Sequence, residues 1–259
     1  THAAVAQHVR SLEAHLGQSL MVRDGRQMVP TEAGARLAAD LQEGFTQIIK
    51  GVRDVSGEAD MQPLQITVTP NFAENWLMHR LMSFWTDYPE IRLSITPSNS
   101  LIDLRRDGYD MGIRFGKGKW PGLDSTFLVQ GDYSVVVHPD LIKGERPTCL
   151  TELAHLPWLF TSSAPDYRAW AIQSGLDPSR IVEHDIATMS MIAAAVRSGA
   201  GAAVMVHAMV REDIDSGRLV LIEQSAPSKL GYYLVTPKGV LPQKAKTFRK
   251  WLLTQREAT

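Results

Sequence analysis

The sequence predicts an α/β protein in which a small head and a long helix precede a body of alternating strands and helices. Three observations predict this class. Apolar residues recur at helical spacing near the N-terminus, and a second helical repeat runs from Thr31 to about Ser56. After Pro63, short β-rich segments alternate with helical ones, which favours βα units around a largely parallel sheet.

The first stretch, Thr1 to Gly34, is predicted to be part of a DNA-reading head. Thr1 is a suitable N-cap and Gly17 a suitable end for a helix with one buried stripe. That stripe would be formed by Val5, Val9, Leu12 and Leu16. A turn at Asp24-Gly25 lies between two short segments, as in a β-hairpin or wing. A polar helix face beside wing arginines suits major-groove reading, although a helix that is merely solvated also has such a face. The candidate DNA contacts are Thr1, His2, Gln7, His8, Arg10, Arg23 and Arg26.

A long helix is predicted from Thr31 to about Ser56. Its apolar residues recur at steps of three and four, the spacing of a seam that pairs two helices. The seam residues are Leu37, Leu41, Phe45, Ile48, Val52 and Val55. A predicted hinge at 56–60 leaves this helix little of its own chain to pack against, so we expect a homodimer or homotetramer. Packing of the seam on its own chain is the alternative.

The body is predicted to contain two sets of βα units, and its length suggests two lobes with two chain crossings. Predicted strands are 64–69, 91–96, 111–115, a strand from about 134, 159–160, 181–182, 202–206 and 232–236. Predicted helices are 72–87, 100–107, 166–174, 188–197 and 242–255.

Polar residues follow four of the predicted strands. In two-lobed α/β receptors, a small ligand sits beyond the carboxyl ends of the strands and is held by hydroxyls and backbone amides at helix N-termini. The residues at these strand ends are Thr69, Pro70, Asn71, Ser98, Asn99, Ser100, Thr161, Ser162, Ser163 and Thr188. Each of them could also serve only as a helix cap, because Ser, Asn and Thr are the usual capping residues.

Composition excludes several classes of protein. With 259 residues, 44% of them hydrophobic and 21% charged, the chain is an ordinary globular one. No apolar run approaches the ~20 residues that span a bilayer, and no signal-peptide pattern opens the chain, so we expect a cytoplasmic protein without a membrane partner. The single cysteine, Cys149, rules out an internal disulfide. A net charge of −1 does not support general nucleic-acid binding, so the head must bind DNA locally and as an oligomer, or not at all.

Motifs for catalysis and cofactors are missing. The run Gly116 to Gly122 lacks the spacing of a phosphate-binding loop and is not followed by a helix. His8 and His15 lie seven residues apart on one helix without a third ligand at matching spacing, so we expect no metal. Neither a GxSxG elbow nor an SxxK motif is present. We therefore expect no enzyme activity and no cofactor.

The head resembles a known signature. The run AAVAQHVRSLEAHLGQSLMVRDGRQMVPTEAG is similar to the winged helix-turn-helix of LysR-type transcriptional regulators. The chain departs from that signature at Ala6, His8, Met21 and Pro30, and two of these positions lie on the predicted DNA face. In that family two helices precede the recognition helix, and this sequence has no initiator Met. The resemblance thus implies a truncated head, with DNA binding assigned to the parent protein.

The body resembles one branch of the same family. The runs FAENWLMHRLMSFWTDYPEIRLSI and LIDLRRDGYDMGIRFGKGKWPGL are similar to motifs of the branch with the glycine-cleavage activator, the β-lactamase regulator and the tryptophan-synthase activator. The resemblance implies a body folded like a periplasmic binding protein. It also implies that Thr188 contacts the effector and that Tyr232 or Tyr233 lines the crevice. The predicted effector contacts are Pro70, Asn71, Ser98, Asn99, Thr161, Ser162, Thr188, Tyr232 and Tyr233.

The domain division follows from the same resemblance. It gives a partial head at 1–30, a linker and dimerisation helix at 31–57, lobe I at 63–137 and 234–259, and lobe II at 138–233. The predicted function is a ligand-responsive transcriptional regulator that binds double-stranded DNA. Its effector would be a small amino-acid-like or carboxylate molecule, because the crevice offers helix N-termini and few charged side chains. A solute-binding receptor of the same fold without a DNA-binding role is the alternative.

Overall fold

The computed structural model describes residues 1–25, 27–56, 62–100 and 103–256. The chain divides into two units. The first contains Thr1–Gln62 with Arg105–Gly108, and the second contains Pro63–Leu104 with Tyr109–Thr259. No helix in the described part of the chain is long and apolar enough to cross a membrane.

The first unit begins with helix α1, His2–Leu16, as the helical spacing predicts. The helix ends at Gly17, which adopts the left-handed conformation (φ 65°) and donates its backbone N–H to the carbonyl of Glu13. Strands β1, Met21–Asp24, and β2, Gln27–Pro30, pair antiparallel with Asp24 opposite Gln27. The predicted hairpin is confirmed, and the predicted contact Arg26 lies outside the described residues.

Three residues, Glu13, Thr31 and Gly34, join this helix, the hairpin and the next helix. The Glu13 carboxylate accepts the backbone N–H groups of Leu20 and Met21 at 2.7 and 3.0 Å. The Thr31 hydroxyl donates to the carbonyl of Ser19 at 2.8 Å and accepts the N–H of Gly34 at 3.0 Å. A Cβ at position 34 would lie 1.9 Å from the Leu20 carbonyl oxygen, so only glycine fits there. Through these contacts, Glu13, Thr31 and Gly34 hold the first helix, the hairpin and the next helix together.

The apolar stripe of α1 is largely exposed among the described residues of this unit. Val5 is 62% exposed, and Leu12 and Leu16 are also exposed. The residue that the hairpin and the following helix cover is Leu20 instead. Helical spacing therefore predicted the helix correctly, and its apolar face has little to pack against among the described residues.

Helix α2, Glu32–Ser56, is confirmed as one long helix that starts one residue later than predicted. Its 25 residues span about 37 Å at the rise of an α-helix. Leu37 is half-buried, but the seam from Leu41 to Val52 faces solvent, with exposures from 46% for Leu41 to 64% for Val52. The side chain of Val55 and the hinge residues 57–60 lie outside the described part of the chain. The seam is thus an apolar face that this chain leaves largely uncovered over the described residues.

The second unit contains two five-stranded sheets. The first has the order β4-β3-β5-β12-β6. Strand β3 is parallel to β4 and β5, whereas β12 is antiparallel to β5 and β6. Its strands are β3, Leu64–Val68; β4, Leu93–Pro97; β5, Met111–Gly116; β6, Leu123–Gln130; and β12, Gly231–Pro237.

The second sheet has the order β11-β7-β10-β8-β9. Strand β8 is parallel to β9 and β10, and β7 is antiparallel to β10 and β11. Its strands are β7, Tyr133–Val137; β8, Pro157–Phe160; β9, Val182–Asp185; β10, Ala202–Val206; and β11, Val220–Gln224. The runs of β7 and β10 are apolar and fully buried, as expected of strands covered on both faces.

Within this unit, we call the part built on the first sheet lobe I (63–104, 109–131 and 231–256) and the part built on the second lobe II (132–230). The chain crosses between them twice, as predicted. The predicted boundary at 137 is wrong, because Tyr133–Val137 pairs within the second sheet. The predicted return at 234 is also late, since β12 starts at Gly231. Both sheets are mixed rather than largely parallel, because each crossing brings an antiparallel strand into the sheet that it enters.

The helices of this unit differ from the prediction in three places. The predicted helix 72–87 is divided into α3, Pro70–Phe72, a π-helical turn, Ala73–Leu77, and α4, Leu81–Asp87. The described residues of the predicted helix 100–107 form turns instead. A helix that the sequence did not reveal, α7, His207–Asp215, follows β10 directly. The other helices agree with the prediction to within one residue at each end: α5, Pro165–Gln173; α6, Met189–Arg197; and α8, Gln243–Thr254.

Candidate functional site

A cavity of about 330 Å³ lies between the two lobes. Lobe I contributes the residues that follow β3 and β4, together with parts of β5 and β12. Lobe II contributes the start of α5 and the start of α6. The lining residues are Thr69, Pro70, Asn71, Asn99, Ser100, Arg114, Phe115, Trp120, Ser163, Ala164, Tyr167, Thr188, Met189, Ser190 and Tyr232. The cavity therefore lies at the carboxyl ends of parallel strands, where the sequence predicted a crevice.

The N-terminus of α6 forms one wall. Thr188 is its N-cap, and the Thr188 hydroxyl accepts the backbone N–H of Met191 at 3.2 Å. The N–H groups of Met189 and Ser190, in the same first turn, have no acceptor within the helix. The positive end of the helix dipole adds to these donors. This wall favours a ligand group with negative charge.

Arg114 is the charged group of the cavity. It is 8% exposed, and its guanidinium donates to the Ile113 carbonyl and to the Thr67 hydroxyl, each at 2.9 Å. Among the described residues no carboxylate forms an ion pair with it. Burial lowers the pKa of this guanidinium, yet arginine stays charged in proteins. A buried positive charge without a counter-ion is costly, so an anionic ligand would stabilise it.

Among the described residues, two hydroxyls of the cavity have no hydrogen-bond partner at normal geometry. They are Thr69 Oγ1 and Ser190 Oγ, and both atoms are buried. A buried polar atom without a partner costs about 1–3 kcal/mol, so such groups are uncommon in a finished interior. One hydroxyl lies on each lobe, which means that one small polar ligand could satisfy both.

Tyr232 of β12 closes the cavity on the side of lobe I. It is buried, and its ring lies 4.7 Å from that of Phe72 and 5.0 Å from that of Phe115. Burial raises the pKa of Tyr232 to about 12, although the polar side chains of Asn71 and Thr69 beside its hydroxyl oppose this shift. The hydroxyl therefore remains protonated at neutral pH and can donate a hydrogen bond.

Tyr233 occupies the opposite face of β12, because successive side chains of a strand alternate. Its ring packs against those of Trp120 and Phe127, and its hydroxyl donates to the Lys229 carbonyl at 3.3 Å. Of the two adjacent tyrosines, only Tyr232 lines the cavity.

The structure places five of the nine predicted effector contacts in the cavity wall and four outside it. Those in the wall are Pro70, Asn71, Asn99, Thr188 and Tyr232. Those outside it are Ser98, Thr161, Ser162 and Tyr233. Thr161 lies beneath the wall, where its hydroxyl bonds that of Ser163 at 2.9 Å. Ser98 accepts the N–H of Ser100 at 3.1 Å, and the N–H of Ser162 donates to Asp185 at 2.8 Å. These residues shape the loops that carry the lining residues.

Arg114 and Tyr167 are lining residues that sequence reasoning missed. The prediction of few charged side chains overlooked Arg114, although an arginine inside the strand run MGIRFG is a signal of a special role. Tyr167, on the first turn of α5, is buried, and burial raises its pKa well above the ordinary value. The described residues contain no group of three or more His, Cys, Asp or Glu that could hold a metal.

The predicted DNA contacts of the first unit are accessible where they are described. Gln7, His8 and Arg10 on α1 are exposed. Arg23, in β1, donates its Nε to the carbonyl of Gly25 at 3.2 Å and so supports the turn of the hairpin. Thr1 is the N-cap of α1 without a side-chain hydrogen bond. The side chain of His2 and all of Arg26 lie outside the described residues.

Two family models match the chain. Residues 1–35 match the bacterial regulatory helix-turn-helix protein, lysR family, and residues 57–257 match the LysR substrate binding domain. The chain is 40% identical over 252 residues to the AhcY transcriptional activator HvrB of Rhodobacter capsulatus, covering 97% of this chain and 86% of that protein. It is 32% identical over 262 residues to the glycine cleavage system transcriptional activator of Escherichia coli, covering 100% of this chain and 86% of that protein.

Among solved structures, the chain is similar to the effector domain of the transcriptional regulator AmpR of Pseudomonas aeruginosa. The two share 25% identity with a TM-score of 0.61, and the match covers 74% of this chain and 94% of that one.

Proposed function

The chain belongs to the LysR family of bacterial transcriptional regulators, and we propose that a small carboxylate bound between its lobes controls how it binds DNA. The head would supply the DNA contacts, the linker helix would join two copies, and the two lobes would enclose the effector. The head comprises residues 1–30 and the linker helix residues 31–57, and the lobes are lobe I and lobe II as defined above.

The observation that carries the choice of ligand is Arg114. It places one positive charge in a cavity whose described lining contains no Asp or Glu. The first turn of α6 and the two unpartnered hydroxyls add hydrogen-bond groups around that charge. A planar guanidinium matches a carboxylate in a bidentate geometry, which favours this anion over a spherical one.

The cavity volume limits the size of the ligand. About 330 Å³ is at the lower end of the range for small-molecule sites, so the effector is a small molecule rather than a peptide. Amino acids belong to the proposed class because Asn99 and the aromatic rings of the cavity can receive an ammonium group.

The test is calorimetric titration with paired probes: acetate and acetamide, glycine and glycinamide, succinate and succinamide. We expect a carboxylate to bind and its amide partner to bind at least tenfold more weakly. Arg114→Met should weaken carboxylate binding roughly 10- to 100-fold, because a hydrogen bond to a charged group contributes about 1.5–3 kcal/mol. Arg114→Lys keeps the charge but not the bidentate geometry of the guanidinium, so it should weaken carboxylate binding less than Arg114→Met does.

The control is Arg180→Met, which removes an exposed arginine outside the cavity lining. It should leave the affinities unchanged. Equal binding of carboxylates and amides, or equal affinity in the parent and Arg114→Met, would contradict the proposed ligand class.

The DNA contacts of the proposal are those exposed on α1 and the hairpin, with Gln7 and His8 toward base edges and Arg23 toward phosphate. Such a regulator acts on the chromosome, so we propose a cytoplasmic homodimer or homotetramer. We also propose that it catalyses no reaction; the relatives above are transcriptional activators by name. A solute-binding receptor without a DNA role is less well supported, because it gives no purpose to a matched helix-turn-helix.

A further inference from the structure

A row of hydrogen-bonded polar side chains connects Tyr232, in the cavity wall of lobe I, to Arg197 of lobe II. It starts at Arg197, in the last turn of α6, which donates Nη2 to Asn75 Oδ1 at 2.7 Å. Asn75 Nδ2 donates to Asn71 Oδ1 at 2.9 Å and to the Asn71 carbonyl at 3.1 Å. Asn71 Nδ2 lies 3.5 Å from the Tyr232 hydroxyl, at the long limit of a hydrogen bond. The last two residues line the cavity, whereas Arg197 and Asn75 do not.

Arg197 is itself held in place within lobe II. Asp213 of α7 is buried and accepts Nε and Nη2 of Arg197 at 2.9 and 2.8 Å, and Nε of Arg218 at 2.8 Å. Burial alone would raise the pKa of Asp213, but the hydrogen bonds from Arg197 and Arg218 outweigh it and hold that pKa below its ordinary value. The carboxylate therefore stays charged at neutral pH and fixes the guanidinium that faces Asn75.

The direction of every hydrogen bond in this row of side chains follows from the chemistry of Arg197. A guanidinium has no acceptor, so the atom of Asn75 that faces Arg197 must be Oδ1. Asn75 Nδ2 must then face Asn71, whose backbone carbonyl can only accept. Asn71 in turn receives with Oδ1 and turns its Nδ2 toward Tyr232. This deduction matters because the oxygen and nitrogen of an amide are otherwise difficult to distinguish.

We infer that Asn75 is a positioning residue that sets the polarity of the cavity. It holds the Asn71 carboxamide with its N–H groups toward Tyr232, so that the Tyr232 hydroxyl accepts from Asn71 and offers its own proton to the ligand. Arg197 imposes this arrangement from the other lobe. The inference rests on the proposed function, because its effect on binding assumes that a carboxylate binds beside Tyr232. Without Asn75, Asn71 could turn over and present an oxygen instead.

The local backbone explains why Asn75 reaches Asn71. Asn75 lies in the π-helical turn Ala73–Leu77, directly after the short helix that carries Asn71. A π-helical turn inserts extra backbone into a helix and is frequent at functional sites. Here the side chain of Asn75 turns back onto Asn71 and also meets Arg197 of the other lobe.

The composition of the chain makes the inference directly measurable. The chain contains three asparagines, Asn71, Asn75 and Asn99. Selective ¹⁵N-asparagine labelling therefore gives three side-chain amide groups in an NMR spectrum. In the ligand-free parent, we expect a nuclear Overhauser contact between an Asn71 Nδ2 proton and the Tyr232 ring. Its absence in the parent, with Asn71 assigned, would overturn the inference before any variant is made.

The variant that reverses the polarity is Asn75→Asp. The new carboxylate can accept from Arg197 on one oxygen, but its other oxygen can no longer donate to Asn71. The Asn71 carboxamide should turn its N–H groups toward this carboxylate and lose its contact with the Tyr232 ring. Persistence of that contact in a folded Asn75→Asp protein would contradict the inference.

The binding arm uses acetate, glycine and succinate. Asn75→Asp should weaken carboxylate binding at least tenfold, because an oxygen of Asn71 and a redirected Tyr232 hydroxyl then face the anion. The added charge is controlled by Glu74→Gln/Asn75→Asp, since Glu74 is exposed and the double variant restores the net charge. Recovery of affinity in the double variant would assign the loss to charge alone and overturn the inference. If the parent binds none of the three, the proposed ligand class fails while the NMR contact still decides the role of Asn75.

Discussion

At the residue scale, Thr188 has two roles that the sequence could not separate. The resemblance assigned it to the effector, and capping statistics assigned it to the helix. In the structure it caps α6 through Met191 and also lines the cavity. Removal of this hydroxyl is therefore expected to affect the stability of the fold as well as the cavity.

Thr188→Val should lower the free energy of unfolding by about 1 kcal/mol, the usual cost of a lost N-cap. It should also weaken carboxylate binding by about 1–3 kcal/mol, since a ligand acceptor loses its partner. Thr188→Ser keeps the hydroxyl and should change both quantities little. Denaturant titration and calorimetry measure them. Equal ligand affinity in Thr188→Val and the parent would remove Thr188 from the site.

The residue scale also shows what sequence reasoning can reach. Polar residues at strand ends predicted the crevice, because parallel strands end at the same edge of a sheet. The pair Tyr232 and Tyr233 could not be resolved, since the register of β12 decides which one faces inward. Arg114 was missed because an arginine inside an apolar strand indicates a special role, but the sequence does not show which face of that strand borders the cavity.

At the element scale, periodicity predicted α1, the hairpin and α2 well, because each is determined by local spacing and turn residues. It failed where tertiary contacts decide. The stretch 72–87 has helical spacing throughout, yet Asn75 lies in a π-helical turn that interrupts it. β6 and β11 were missed because their sequences lack clear alternation, and pairing with β12 and β7 defines them.

The uncovered seam of α2 gives the first prediction at this scale. Leu41→Asp and Phe45→Asp together should shift the protein toward monomer, because they place two charges in the apolar face that pairs the helices. Ala35→Asp, at an exposed position away from the seam, should leave the assembly intact. Light scattering measures the mass. A parent protein that is monomeric at tens of micromolar would contradict the seam assignment.

The hairpin gives the second. In the full-length gene product, Arg23→Ala should weaken binding to all DNA sequences similarly and make the salt dependence shallower by about one counter-ion, as expected for one phosphate contact. Arg180→Ala, in the other unit, is the control. Fluorescence anisotropy at several salt concentrations measures the slope. A change in base preference after Arg23→Ala would mean that this residue reads bases.

At the scale of the whole molecule, the sequence predicted the two-lobed architecture and the number of crossings but not their exact positions. The boundary at 137 was too late because β7 is as apolar as a central strand of either lobe, and composition cannot assign it to one sheet. The same exchange of strands makes each sheet mixed. It also carries Tyr232, on the return crossing, into the wall of the cavity between the lobes.

The central claim is that a carboxylate held at Arg114 controls DNA binding. The most direct measurement is footprinting of the full-length gene product on DNA that it selects from a random pool, with and without the carboxylate identified by titration. We predict that the ligand changes the footprint of the parent and leaves that of Arg114→Met unaltered, while the two ligand-free footprints coincide. The same ligand-induced change in both proteins, or no change in the parent at saturating ligand, would contradict the claim.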